Sequence, residues 1–448
     1  MKFKENAPLD KQSLYEDWMS PEAIIAMKKT YFYPNTMHFY KNPPHIVRGE
    51  MQTLIDHNGK RYTDFFAGVT VLNCGHSNPD IIRAIEDQLH MLQHTSIIYL
   101  TEPMVILAKA LSDVLPGDIK NTFFCNSGTE ANEGALLLAR MHTKRKAFLS
   151  FEGGLHGRSY LTMSVTGIPM WRIDPFLDPE VYFAKGFVNE GMTLDESSEI
   201  SLASVDEILK AHGETIAACI VEPIQGNGGM NTPPLDFFKR LKEKLDAYGV
   251  LLIVDEIQTG FGRTGSFFAI EQFGVVPDII TYAKALGNGI PIGAFSARPH
   301  VAASFNKPSA STLGGNPVST AAGLAVLQYI EEKQLCSRSE ELGTFLKAGL
   351  IALKEKYKCI KEVRGMGLML GMAFDPCEGA SLVDAVLEEM KERGFIVGKN
   401  GMNRNVLAFQ PPLVICERDI NEMLIQLDEV LSLLPRAQFF LDKIDDTK

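Results

Sequence analysis

Between residues 80 and 325 the chain returns repeatedly to a short, almost wholly apolar run: Asn121–Cys125, Ala147–Phe151, Ala217–Val221, Leu251–Val254 and Ile279–Tyr282. Each is bounded by Gly, Pro, Asp or Asn, and helical periodicity fills the stretches between them. A strand with one wet face alternates polar and apolar residues. Runs without that alternation suit strands covered on both faces, as in a parallel sheet between helix layers. The expected class is therefore α/β with a mainly parallel sheet.

The chain ends read differently. Leu14 to Lys29 is predicted as helix, followed by an aromatic approach from Tyr31 through Tyr40 to Pro43-Pro44 that suits a segment laid across a surface. Gln52–Asp56 and Arg61–Phe66 are strand-like and joined through Asn58-Gly59, a strong hairpin signal. Beyond Pro317, a helix from Val318 to about Glu332 leads to two strand-like runs, Val363–Phe374 and Asn405–Phe409, with helical Ser381–Arg393 between them, an α+β pattern.

Composition removes several function classes. The 448 residues are 45% hydrophobic and 22% charged, as in a globular protein, and the formal net charge of −11 repels polyanions, so a nucleic-acid partner is not expected. Seven cysteines lie scattered, without a C-x-x-C pair or a Cys/His set at zinc spacing. They read as buried thiols of a reducing compartment, and no metal site is expected. The N-terminus is charged and lacks an apolar core, and no run of about 18 apolar residues occurs. Neither a leader nor a membrane span is expected, and the cytoplasm is the expected location.

In a doubly wound sheet, ligands bind just beyond the carboxyl ends of the strands. After the first apolar run comes Asn126-Ser-Gly-Thr-Glu130, opening a helix; small residues with free N–H groups there make an anion site, though they also make an ordinary helix cap. After Val221 come Glu222-Pro223 and Gln225–Gly229, a glycine-rich loop that lacks G-x-G-x-x-G spacing. The other glycine-rich stretch, Arg364–Gly371, also fails that spacing and reads as a strand packed close to other backbone. After Val254 come Asp255 and Gln258, the carboxylate being either a costly buried charge with a partner or a turn cap. After Tyr282 comes Lys284 before a glycine-rich loop, either a surface lysine or a desolvated amine suited to imine chemistry. Taken together, an anion cradle, an acid, an amide and a lysine match the needs of pyridoxal 5′-phosphate.

From Leu54 to about Pro412 the sequence resembles the class III, or ω-, aminotransferases of pyridoxal-phosphate fold type I. The resemblance rests on Leu251–Gly265 (LLIVDEIQTGFGRTG), on Lys284 within AKALGNGIPIG, and on the blocks Asn126–Asn132, Glu222–Gly226, Ser311–Pro317 and Gly75–Pro79. It implies a large domain over 60–325 with a mainly parallel seven-stranded sheet between helices. A smaller α+β domain would come from both ends, 1–59 and 326–448. Lys284 would carry the cofactor and move the proton, and Asp255 would pair with the ring nitrogen. Gln258 would contact O3′, Ile257 would pack under the ring, and Glu222 and His156 would line the site. Ser127, Gly128 and Thr129 would grip the phosphate, completed by Thr312 from a neighbouring subunit in an obligate homodimer or a tetramer built from it.

Substrate choice should follow the departures from the family pattern. Many relatives using 2-oxoglutarate carry an arginine before the Phe-x-Pro-Pro turn, shielded by a loop glutamate; here the corresponding residues are Ala408 and Asn227. Arg158 is retained, and in 4-aminobutyrate-type relatives the matching arginine holds the distal carboxylate. Tyr40, Val69 and Arg404 are the other substrate-contact candidates, Arg404 as a replacement for the missing arginine or as a solvated loop residue. Leu155 stands where relatives place an aromatic ring over the cofactor. The sequence thus predicts an amino donor that is an ω-amino acid or amine and a small keto-acid acceptor, pyruvate or glyoxylate. A 2-oxoglutarate-dependent 4-aminobutyrate-type enzyme, or a racemase or epimerase on the same scaffold, is the alternative.

Overall fold

A computed structural model describes residues 18–35, 38–187, 191–376 and 379–433. Its central sheet has seven strands: β1 Asn121–Cys125, β2 Ala147–Phe151, β3 Val181–Ala184, β4 Ile216–Val221, β5 Leu251–Asp255, β6 Ile279–Tyr282 and β7 Gly293–Ala297. Their order across the sheet is β1-β7-β6-β5-β4-β2-β3. Only β7 runs against its neighbours, β1 and β6; the other pairs are parallel. The unbroken apolar runs now have their cause. Successive residues of one strand enter different cores: Leu252 and Val254 pack into one, Leu251 and Ile253 into the other. Helices on both faces therefore require every position of β5 to be buried.

Segments far apart in the chain meet in a second sheet. Thr53–Asp56 and Arg61–Asp64 form the predicted hairpin, with Gly59 at φ +82° in its turn. That hairpin pairs in parallel with Phe395–Ile396 from the other end of the chain, Phe395 opposite Thr63. A further sheet of Ile360–Met366, Met369–Phe374, Val406–Phe409 and Gly398–Asn400 follows the helices Pro317–Glu332 and Leu335–Lys356.

Two expectations need correction. Val363–Phe374 is not one strand but part of an antiparallel hairpin, because the chain reverses at Gly367, φ +53°, between the paired Met366 and Met369. The close packing expected of this glycine-rich stretch is real: a Cβ on Gly367 would stand 2.5 Å from the carbonyl carbon of Thr264. The first helix is Pro21–Tyr31, capped by Ser20, whose hydroxyl accepts from the Ala23 amide, with proline at its start. The expected start at Leu14 lies outside the described residues.

One backbone feature had no sequence signal. Ala67, Gly68, Val69 and Thr70 all take positive φ, at +48°, +60°, +67° and +59°, a left-handed turn costing about 1–2 kcal/mol per non-glycine residue. Asp64 braces it: one carboxylate oxygen accepts from the amides of Phe66 and Ala67, and the other bonds His76 Nε2 at 2.7 Å. Behind it lies Arg263, fully buried, which donates to the carbonyls of Leu368 and Pro411 and to Asn73 Oδ1. Asn73 in turn donates to the Phe261 carbonyl. No carboxylate pairs with Arg263 among the described residues, and burial pulls its guanidinium down to about 9.

Candidate active site

The strand ends put most of the predicted residues on one cavity of about 450 Å³, lined among others by Ser127, Gly128, Thr129, Leu155, His156, Arg158, Glu222, Asn227, Asp255, Ile257, Gln258 and Lys284. A larger cavity of about 830 Å³ lies beyond Gly228 and Asn231, among Arg364, Asp375 and Asn405, and holds none of the predicted residues.

Ser127 caps the 16-residue helix Gly128–Thr143, its hydroxyl accepting from the Glu130 amide. The first-turn N–H groups face the cavity end, where an anion is stabilised by unpaired donors and by the helix dipole. Gly128 is required by space: a Cβ there would stand 2.7 Å from Ile257 Cδ1.

Asp255 ends β5 and is 3% exposed. Its Oδ2 accepts from Asn132 Nδ2 and His156 Nδ1, each at 2.8 Å, and its Oδ1 from the Ile257 amide at 3.1 Å. Three donors thus converge on a carboxylate that is almost out of reach of water. Asn132 and Thr281, both fully buried, complete the set: Thr281 Oγ1 donates to Asn132 Oδ1 at 2.6 Å. His156 is thus committed edge-on to Asp255, leaving Leu155, Val71, Ile257 and Trp171 as apolar wall.

Glu222, after β4, accepts from the amides of Leu155 at 2.8 Å and Gly226 at 3.1 Å. Burial pushes its carboxyl well above the usual range, with His156 opposing and Asp255 adding to the rise. Gln410 Nε2 approaches Gln258 Oε1 at 3.4 Å, and a Cβ on Gly226 would stand 2.6 Å from that oxygen.

Lys284 follows β6 at φ +44°, a strained setting for a side-chain-bearing residue. It is half-buried and faces the cavity rather than bulk water. Desolvation pulls its amine down from 10.5 to about 8, against the opposing pull of Asp255 and Glu222.

Pyridoxal 5′-phosphate fits this donor set: a helix N-terminus for the phosphate, a charged acid at the end of a buried strand, a softened amine, and glycines where a side chain would occupy the space. Of the substrate candidates, Arg158 lines the cavity and has no ion pair among the described residues, whereas Tyr40, Val69 and Arg404 are not in its lining. Tyr40 donates to the Val397 carbonyl at 3.4 Å. Arg404 stacks on Phe39 at 5.4 Å, and Phe39 packs on Phe66. Val69 sits in the left-handed turn, which delivers Val71 to the cavity instead. Thr312 is exposed and Ala408 is buried among Ile224, Met230 and Met369. Asn132 and Thr281 were missed as site residues; Asn132 lay in plain view within the Asn126–Asn132 block, but only the fold brings it to Asp255.

Residues 38–431 match the family model described as "Aminotransferase class-III". The chain is 37% identical to the alanine–glyoxylate aminotransferase 2 homolog 2, mitochondrial, of Arabidopsis thaliana, over 92% of this chain and 88% of that protein. It is also 37% identical to a 5-aminovalerate aminotransferase of Pseudomonas aeruginosa, over 87% and 93%. A solved phospholyase from Arthrobacter, in complex with phosphoethanolamine, superposes with a TM-score of 0.86 at 32% identity, over 92% of this chain and all of that one.

Proposed function

Because the chain belongs to the class III aminotransferases, which are pyridoxal-phosphate enzymes, we propose that it takes the amino group of an ω-amino acid or amine and passes it to a small keto acid, pyruvate or glyoxylate. The observation carrying this choice is the charge pattern on the cavity wall. Arg158 is its one guanidinium among the described residues, while Ala408 packs in an apolar cluster and Asn227 is uncharged. A donor with its anionic group far from the amine suits Arg158, and an α-carboxylate gains nothing from Ala408. The similarity to a 5-aminovalerate aminotransferase supports the donor class, and that to an alanine–glyoxylate aminotransferase supports the acceptor.

When bound, the cofactor supplies a reactive carbonyl and a ring that accepts electron density. Ser127, Gly128 and Thr129 would hold its phosphate, and Asp255, fixed in place by its three donors, would pair with its ring nitrogen. Desolvation draws the Lys284 amine down to about 8, which makes its neutral form far easier to reach near pH 7 than for an exposed lysine, as a nucleophile and as the base that moves the proton at the amine-bearing carbon would require. Leu155, Val71 and Trp171 would exclude water.

The working unit in this reading is a homodimer. Leu100 and Ile98 are exposed at 103% and 78%, Leu313 is exposed beside Thr312, and Trp171 lines the cavity while 44% exposed, a surface suited to a second copy. The six described cysteines are free and no described helix is long and apolar enough to cross a membrane. The free thiols agree with the cytoplasmic location proposed here.

The test is a half-reaction screen: loss of the cofactor's absorbance at about 400–430 nm with a panel of amino donors, then its recovery with keto acids. Recovery with pyruvate or glyoxylate at least tenfold faster than with 2-oxoglutarate is expected. Faster recovery with 2-oxoglutarate would overturn the acceptor assignment, and release of inorganic phosphate from phosphoethanolamine without any acceptor would replace transfer by elimination.

A further inference from the structure

Asp255 and Thr281 are register partners on the parallel strands β5 and β6, so their side chains emerge side by side at the sheet's carboxyl edge. Asn132 reaches this pair from the helix Gly128–Thr143, four residues after Gly128 and about 6 Å further along its axis. One helix therefore presents the anion-binding N-terminus and, one turn on, the amide that grips the acid.

The orientation of that amide is determined by its neighbours. Nδ2 donates to Asp255 Oδ2 at 2.8 Å and to the His156 carbonyl at 2.7 Å, both pure acceptors, while Oδ1 accepts from Thr281 Oγ1 at 2.6 Å. The reverse orientation would set an oxygen against two oxygens. His156 is held by its carbonyl through Asn132, by its amide through Thr166 Oγ1 at 3.1 Å, and by Nδ1 through Asp255. All four side chains are nine-tenths or more buried, so water cannot replace a lost donor cheaply.

We propose that Asn132, oriented by Thr281, is a positioning residue for the cofactor: it fixes Asp255 and His156 at a set distance from the phosphate cup and helps keep Asp255 an acceptor for a protonated ring nitrogen. This rests on the reading of Asp255 as the partner of that nitrogen. Ser127–Thr129 grip the phosphate whether or not Asn132 is present. Loss of Asn132 therefore weakens recognition of the ring and leaves recognition of phosphate alone.

The experiment measures dissociation constants of the apoprotein for pyridoxal 5′-phosphate and for inorganic phosphate by equilibrium dialysis, together with the pH titration of the bound cofactor's absorbance. Asn132→Ala should weaken cofactor binding about 10–100-fold, the range for removing a hydrogen bond to a buried charge, and shift the titration, with phosphate binding within about twofold of the parent. Thr281→Val, close in size, should weaken cofactor binding about fivefold and Thr281→Ser should restore it, which keeps the test open if Asn132→Ala fails to fold. Cofactor affinity and titration unchanged in Asn132→Ala, or in Thr281→Val, would overturn the proposal, and so would equal weakening of phosphate and cofactor. Asp255→Asn separates the two readings. If it changes neither constant nor titration, the assignment of Asp255 fails; if it changes both while the Asn132 and Thr281 variants do not, only the positioning role fails.

Discussion

Burial of Lys284 should carry a stability cost that depends on pH. Its amine is drawn from 10.5 in the open chain to about 8 in the folded one. Below about pH 8 the lysine is charged in both states and folding must desolvate that charge; above about 10.5 it is neutral in both and the cost is gone. The displacement corresponds to about 3 kcal/mol, reduced to about 1–3 kcal/mol because Lys284 is only half-buried at the cavity wall. Lys284→Met keeps the length of the stem and removes the charge. In urea melts of the apoprotein at pH 7 it should unfold at higher denaturant, by about 1–3 kcal/mol. At about pH 10.5 the two proteins should converge, because the parent gains stability as its lysine loses the proton. Equal stability at pH 7, or a difference that stays constant with pH, would refute the claim that the desolvated charge sets the lysine's reactivity. A gain in stability with loss of function is the usual signature of a strained functional group.

Arg158→Ala should raise KM about 10–100-fold for ω-amino acids bearing a distal carboxylate and leave simple amines near parental values, as steady-state kinetics with matched donors would show. Gly128→Ala should loosen cofactor binding about tenfold in equilibrium dialysis, since its Cβ would meet Ile257 Cδ1 at 2.7 Å, and adding Ile257→Val, which removes that atom, should recover most of the loss. Glu256 is fully buried and its carboxyl is pushed up to about 7 by burial, against hydrogen bonds from Thr259 and the backbone. The folded chain therefore holds that proton where the unfolded one releases it, and stability falls as pH rises from about 4.5 to 7; Glu256→Gln should flatten this part of the curve by up to about 3 kcal/mol in urea melts.

What the sequence disclosed and what it concealed divide along a physical line. The strands β2, β4, β5 and β6 were legible because burial on both faces leaves a local mark, an apolar run without alternation. Val181–Ala184 is mostly half-buried and Gly293–Ala297 carries Gly and Ser, so both carry less of that mark and only the resemblance supplied the count of seven. Lys284, Asp255 and the Ser127–Thr129 cap were legible as strand-end chemistry. Asn132 and Thr281 were not read as site residues, because an asparagine inside a helix and a threonine in a strand look alike whether they serve a site or fill a core; only the register of β5 on β6 and the packing of the helix Gly128–Thr143 bring them to Asp255. The left-handed turn at Ala67–Thr70 was invisible for a related reason. Val69 argues locally against it, and what imposes it, Asp64 and the framework around Arg263, is assembled from residues up to about 350 positions away in the chain.

Arg263 also has a bearing on how the protein is made. Its guanidinium closes contacts to Asn73, Leu368 and Pro411 at once, so three distant stretches must arrive before that buried cation has its acceptors. During synthesis the strands through β7 can leave the ribosome and pair, yet until Pro411 emerges Arg263 lacks one acceptor and Gln258 lacks Gln410. The cavity wall around Gln258 is therefore finished only once residue 411 has been made, and a chain stopped before it should expose apolar sheet to chaperones and aggregation.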